Sequence, residues 1–220
     1  MKNFLKNNLV LLLLYLLCLV NALYYIGSYS KTDLHLKINA FVGNAAIDRF
    51  FFYITYLGDG NMAMVMLLIL LFYNIRLGIY CTASFLLASL SSVGLKHFFF
   101  DDVNRPFYVF TYYEHIQLKL VDGVQIYIHN SFPSGHATQA FAIFMAMAFA
   151  ANKQMGKLLL FSLALLTAFS RVYLSQHWLQ DVTAGSVVGC LFSLVLFFLL
   201  FQKASLQKLN RPLIAPKKIV

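Results

Sequence analysis

Residues 158–201 read LLLFSLALLTAFSRVYLSQHWLQDVTAGSVVGCLFSLVLFFLLF, two apolar runs (158–174 and 182–201) that enclose Arg171, His177 and Asp181. Each run approaches the roughly 20 residues needed to cross a bilayer. Ionisable groups at the ends of such runs are costly near lipid and usually mark function. The stretch therefore predicts two membrane helices whose shared end carries a polar site.

The rest of the chain extends the pattern. Of 220 residues 60% are hydrophobic and 11% charged, with 22 Phe and 13 Tyr, more apolar surface than one soluble core absorbs. Further runs at 9–26, 61–75, 78–95 and 137–151 bring the count to six. The expected fold is all-α, a polytopic bundle of about six transmembrane helices. No repeat or domain boundary is visible, so residues 1–220 are expected to form a single membrane domain with a basic tail at 202–220. Cys18, Cys81 and Cys190 lie in separate runs without a CxxC pair and read as small buried apolar residues. Lys2 and Lys6 precede an apolar stretch ending in Val20-Asn21-Ala22, which resembles a cleavable signal. The stretch continues apolar through Ile26, so residues 1–22 are expected to be retained as a helix.

The formal charge is +9, yet the cations are scattered between runs and do not form a patch interleaved with aromatics, which argues against nucleic acid. With a cytoplasmic N-terminus, ten of the seventeen Lys and Arg fall on inner segments: Lys2, Lys6, Arg76, Lys153, Lys157, Lys203, Lys208, Arg211, Lys217 and Lys218. Seven fall outside, and three of these, Lys96, Arg105 and Arg171, belong to the candidate site. The bias follows the positive-inside rule and turns the site outward.

Between the runs, residues 38–56 suggest an interfacial helix, Leu57-Gly58-Asp59-Gly60 a turn, and Ser84, Ala88, Ser89, Ser91, Ser92 and Gly94 a face for close helix packing. The longest connection, 97–132, carries Asp101, Asp102, Glu114, His115, Asp122 and His129, and its aromatics Phe107, Tyr108, Phe110, Tyr112 and Tyr113 suit the headgroup level. It reads as an entrance or lid.

His177 and Asp181 are four residues apart, so on one helix they would share a face. An aspartate there can hold one imidazole nitrogen and leave the other as nucleophile or base, although a surface or capping pair has the same spacing. Pro133-Ser134-Gly135-His136 opens the run at 137. There Ser134 offers a hydroxyl, Gly135 allows close backbone approach, and the helix end favours an anion; an ordinary cap beside a histidine would look the same. Lys96 and Arg105 would lie on nearly opposite faces of an unbroken helix. They converge only if the helix stops between them, which Asp101, Asp102 and Asn104 favour. Otherwise Lys96 anchors its helix at the headgroups.

Together these motifs resemble the type 2 phosphatidic acid phosphatase superfamily, whose signature is Lys-x6-Arg-Pro, Pro-Ser-Gly-His and Ser-Arg-x5-His-x3-Asp. The second and third parts stand intact as Pro133 to His136 and Ser170-Arg171…His177…Asp181. The first is two residues longer than usual between Lys96 and Arg105-Pro106, with Phe98 where the usual spacing would put the lysine. The resemblance covers roughly residues 50–200. It implies a haloperoxidase-like helical core in which His177 is the nucleophile, Asp181 its orienting carboxylate and His136 the acid for the leaving oxygen. It also implies a phosphate-binding shell of Lys96, Arg105, Arg171, Ser134 and the backbone at Gly135.

The expected reaction is phosphate removal from a membrane lipid through a phosphohistidine, with no metal and no cofactor; Asp101 and Asp102 lack companion ligands. The expected partners are the bilayer and a substrate such as phosphatidic acid, phosphatidylglycerol phosphate, undecaprenyl pyrophosphate or lipid A. Nucleic acid and an obligate protein partner are not among them. The expected place is the inner membrane of a bacterium, with the site at the periplasmic face. Two other functions use the same features. A phosphotransferase would pass the phosphate to a lipid hydroxyl, and a lipid or anion transporter would use the cations as a path.

Overall fold

The computed structural model describes residues 2–214; Lys217 and Lys218 lie outside them. The chain is all helical. In order it forms α1 (Lys2–Ser28), α2 (Lys31–Asn39), α3 (Ala45–Ile54), a short 3-10 turn (Thr55–Gly58) and α4 (Gly60–Tyr73). Then come α5 (Ile75–Phe98), α6 (Pro106–Val109) with a π turn (Phe110–Glu114), α7 (Gly135–Ala150), α8 (Gln154–Tyr173) and α9 (Leu179–Leu196), which runs on as a π turn (Phe197–Phe201).

Polar caps start the helices where the sequence supplies them. Asn44, Asp59, Asn74 and Ser134 accept backbone N–H groups at the starts of α3, α4, α5 and α7, satisfying donors a first turn leaves free. All six apolar runs are helical. α1, α5, α8 and α9 are long and apolar enough to cross a bilayer alone. α3 and α4 form one further candidate span bent by 61° at Asp59, so the 38–56 stretch is not one helix: it breaks between Asn39 and Ala45, and α3 leads into a span. α7 has only 16 residues, about 24 Å of helix. It is the most enclosed element, with eleven of its side chains buried, which lets a short helix stand at the centre without matching the lipid thickness.

α7 packs against α5, α8 and α9. On α5 the inward face is Cys81, Ser84, Ala88 and Ser92, small residues at helical spacing that let backbones approach. Contact with α9 is closer still. A Cβ on Gly189 would lie 2.8 Å from both Ala142 N and Phe141 Cβ and would also strike Thr138 O. Backbone atoms cannot move aside, so Gly189→Ala is expected to destabilise the fold by roughly 1–3 kcal/mol, read as a lower thermal unfolding midpoint in detergent and a lower yield of folded protein. At Gly94 the nearest atom to a new Cβ is 4.0 Å away. Gly94→Ala should leave both measurements near the parent value.

α1 is the least buried span, presenting Leu9, Leu13, Leu16, Leu17, Val20 and Leu23 outward, as a lipid-facing helix should. Cys81 and Cys190 are buried and Cys18 partly so, all as free thiols. The turns at Asn74 and at 151–153 lie at one end of the bundle. There Asn74 bonds Asn210 at 2.7 Å, Ile75 N bonds Arg211 O at 3.0 Å, and Gln154 Nε2 bonds Asn7 O at 3.0 Å. The starts of α7 and α9 and the ends of α5 and α8 gather at the opposite end, where the site lies.

Candidate active site

The site is built on helix ends. Arg171 is in the last turn of α8, and the chain then reverses: Gln176 N and His177 N both donate to Arg171 O, at 2.9 and 3.1 Å. Ser175 takes a left-handed φ of 54° to make this turn. α9 begins only at Leu179, so His177 precedes the helix and Asp181 sits in its first turn. The two do not share a helix face, as four-residue spacing suggests. They bridge from loop to helix end because the reversal at Ser175 ends α8 and delays α9.

That bridge defines the imidazole. Asp181 Oδ2 lies 3.3 Å from His177 Nδ1, and also accepts from Trp178 N at 3.0 Å and Ser131 Oγ at 2.5 Å. On the other side Arg105 Nη1 is 3.3 Å from His177 Nε2. A guanidinium only donates, so Nε2 must present its lone pair and Nδ1 must carry the proton towards Asp181. His177 is 2% exposed. Burial, and then the charges of Arg105, Arg171 and Lys96, hold its pKa well below the ordinary histidine value, so the ring is neutral near neutral pH.

The three cations share one arrangement. Lys96 Nζ donates to Asn130 O at 2.8 Å, and Arg105 Nη2 reaches the same carbonyl at 3.4 Å. α5 ends at Phe98, and a turn with Asp102 at φ 61° returns the chain, so the lysine and arginine do converge across the longer spacing. Phe98 is 84% exposed and faces away. Arg105 is further held by His129 O at 2.7 Å and Gln176 O at 3.0 Å. Arg171 donates to Thr55 Oγ1 at 2.9 Å and reaches Gln176 Oε1 at 3.4 Å, while its buried Nε has no partner among the described residues. Among the described residues none of the three lies within salt-bridge distance of a carboxylate; the histidine–carboxylate contacts present are His177 with Asp181 and His129 with Asp102. Positive charge bound by neutral carbonyls and hydroxyls is left to attract an anion.

Ser134 caps α7, accepting from Ala137 N at 3.4 Å, and its own N–H donates to Asp181 O at 3.0 Å, which ties the starts of α7 and α9 together. At Gly135 a Cβ would meet nothing within 4 Å, so the helix end is open to an approaching ligand. His136 is partly buried and shares the field of Arg171, His177, Arg105 and Lys96. All eight residues singled out from sequence thus stand at one end of the bundle. Ser131, Gln176, Thr55 and the carbonyls of His129 and Asn130 join them, and no side-chain pattern marks these in advance. Glu114 ends the π turn and His115 follows it, both exposed, and His129 serves Arg105 through its carbonyl. Among the described residues no three His, Cys, Asp or Glu side chains gather as metal ligands.

α2 and the segment at Lys119 pack over this loop. His35 on α2 is 1% exposed, with Nε2 3.1 Å from Ser175 Oγ, and it packs against Phe110 and Trp178. Asn39 pairs with the backbone of Lys119 at 2.7 and 3.0 Å. Burial pushes the His35 pKa from 6.5 down to about 4. An unfolded chain takes up this proton as pH falls through 6.5 while the folded chain does not, so stability is lost between those values, by on the order of 3 kcal/mol. Unfolding midpoints in detergent should fall from pH 7 to pH 4.5, and less steeply in His35→Gln.

A fold of buried helices around a His–Asp–Arg network defines a class of membrane hydrolase, and comparison with known proteins supplies its family. The PAP2 superfamily model matches residues 62–205, and the chain belongs to that superfamily. It is 40% identical over 67 residues to undecaprenyl-diphosphatase BcrC of Bacillus subtilis (strain 168), across 30% of this chain and 34% of that protein. The match spans about a third of that curated relative's length. Among solved structures, LpxE of Aquifex aeolicus superposes with a TM-score of 0.65 at 24% identity, covering 79% of this chain and 98% of that one. A PAP2-type phosphatidylglycerolphosphate phosphatase from Bacillus subtilis gives 0.64 at 22% identity, covering 90% and 98%. Both likenesses concern the fold.

Proposed function

We propose that the protein removes phosphate from a membrane lipid at the periplasmic face of a bacterial inner membrane, and that residues 1–220 act as one membrane unit. The observation that carries this reading is the lone pair of His177 Nε2, held beside Arg105 by the Asp181 contact at Nδ1, among three cations without carboxylate partners. The outward orientation is supported by Lys6, Arg76, Lys153, Lys157, Lys203, Lys208 and Arg211, which belong to the opposite end of the bundle.

In the proposed reaction Nε2 of His177 attacks phosphorus in line, and the bond to the lipid oxygen breaks as His136, protonated once the negative charge of the bound phosphate offsets the surrounding cations, donates that proton to the oxygen. The product alcohol leaves a phosphohistidine. Water then attacks phosphorus, giving its proton to His136, and the P–N bond breaks to release inorganic phosphate and restore both rings. Lys96, Arg105, Arg171 and the amides at the start of α7 neutralise charge on the five-coordinate phosphorus. They supply what a metal would, so turnover should persist in excess chelator.

The test is release of inorganic phosphate by purified protein from phosphatidic acid, phosphatidylglycerol phosphate, undecaprenyl diphosphate and lipid A, with His177→Ala as control. Release from at least one lipid that the control lacks supports a phosphatase. Label from the substrate appearing on a second lipid would make it a transferase, and no release from any would defeat the reading.

A further inference from the structure

A cavity of about 300 Å³ opens beside His136 and Arg171 and continues between Asp59, Thr55, Gln125 and Tyr127. His177, Lys96 and Arg105 are not part of its wall. If His177 attacks in line and His136 protonates the departing oxygen, this cavity lies on the leaving-group side, so its contents are the first atoms of the lipid that keeps the oxygen. One side of its wall is closely packed. Gly58 presses on His136 so closely that a Cβ there would be 2.8 Å from His136 O and 2.8 Å from Thr167 Cγ2, which fixes the segment carrying Thr55 and Asp59 against the acid.

Asp59 is the acidic member of this wall. Its Oδ1 accepts from Asn61 N at 2.9 Å as the cap of α4, and its second oxygen has no hydrogen-bond partner among the described residues. No salt bridge neutralises it there. The two faces of the site thus differ in charge balance: cations without a carboxylate in salt-bridge reach surround His177, whereas beyond His136 the wall sets the Asp59 carboxylate against a single cation, Arg171.

We infer that Asp59 is a specificity determinant, rejecting a leaving group that carries a second phosphate and accepting one that offers hydroxyl or amide hydrogens. This rests on the phosphatase reading above and deepens it. A second phosphate next to the scissile oxygen would enter the cavity towards a like charge, and Arg171, the cation of this wall, is already engaged by the scissile phosphate in the reaction proposed above. A sugar ring would meet an acceptor instead, with Gln125 and the Tyr127 hydroxyl as further partners. The favoured substrate is therefore a saccharide phosphate monoester on a lipid, and a polyprenyl diphosphate is disfavoured.

The experiment compares kcat/KM of the purified full chain for lipid A and for undecaprenyl diphosphate in the same mixed micelles, for the parent and for Asp59→Asn. Asparagine caps a helix as well as aspartate, so the change removes charge and keeps the turn. The parent should favour lipid A at least tenfold. Asp59→Asn should reduce that ratio about tenfold, raising KM for lipid A and raising kcat/KM for the diphosphate. A parent enzyme faster on the diphosphate overturns the inference whatever the variant does. So does an equal change on both substrates, which would make Asp59 only the cap of α4 or a support for Arg171. Absence of phosphate release from either lipid and from the other monoesters would instead mean that the phosphatase reading has failed, and the inference with it.

Discussion

His177→Ala is expected to reduce phosphate release by roughly 10⁴-fold or more and to abolish the acid-labile phosphoenzyme trapped from labelled substrate. The side chain is buried, and alanine leaves a small cavity that the surrounding helix ends can bridge, so protein yield should change far less than turnover. The geometry adds a second expectation. Asp181→Asn presents an amide in place of the carboxylate, and the amide can donate to Nδ1. Nε2 would then carry the proton and face Arg105, donor against donor. Its loss should approach that of His177→Ala. Ser131→Ala removes one bond to Asp181 while Trp178 N keeps another, and should cost only about 1 kcal/mol, several-fold in rate. A phosphoenzyme still formed at parental levels by His177→Ala would place the nucleophile elsewhere.

Lys96→Ala is expected to lower turnover about a hundredfold with little change in membrane insertion. One cation facing charge in the transition state commonly contributes about 3 kcal/mol. The competing role, an anchor at the headgroups, would leave the rate intact. Lys96 donates to Asn130 O, the carbonyl that also meets Arg105, which sets it among the site cations and turned in from the lipid. Phe98, at the position the usual six-residue spacing would select, is 84% exposed. A lysine there would therefore face away from the site, and adding Phe98→Lys to Lys96→Ala should not restore activity. Recovery by that double change would show that the end of α5 can rotate to bring position 98 inward.

Helix content and the choice of membrane were legible from residues 158–201 and the four other apolar runs, because hydropathy over a helix length is a local property that lipid reads directly. The break at Asp59 and the helix start at Ser134 were legible for the same reason: each side chain satisfies an N–H group two or three residues away. The motif order named His136, Arg171, His177 and Asp181 before any contact was known. Tertiary structure alone decided which nitrogen of His177 is free, since that follows from Arg105, 72 residues distant in sequence. It also decided that Lys96 meets Arg105 across an extra-long spacing. The path of residues 99–134 has no hydrophobic period, and the groups that hold the cations there are the carbonyls of His129 and Asn130. Every residue possesses a carbonyl, so side-chain identity cannot announce which ones will be turned inward; only the packed helix ends determine that.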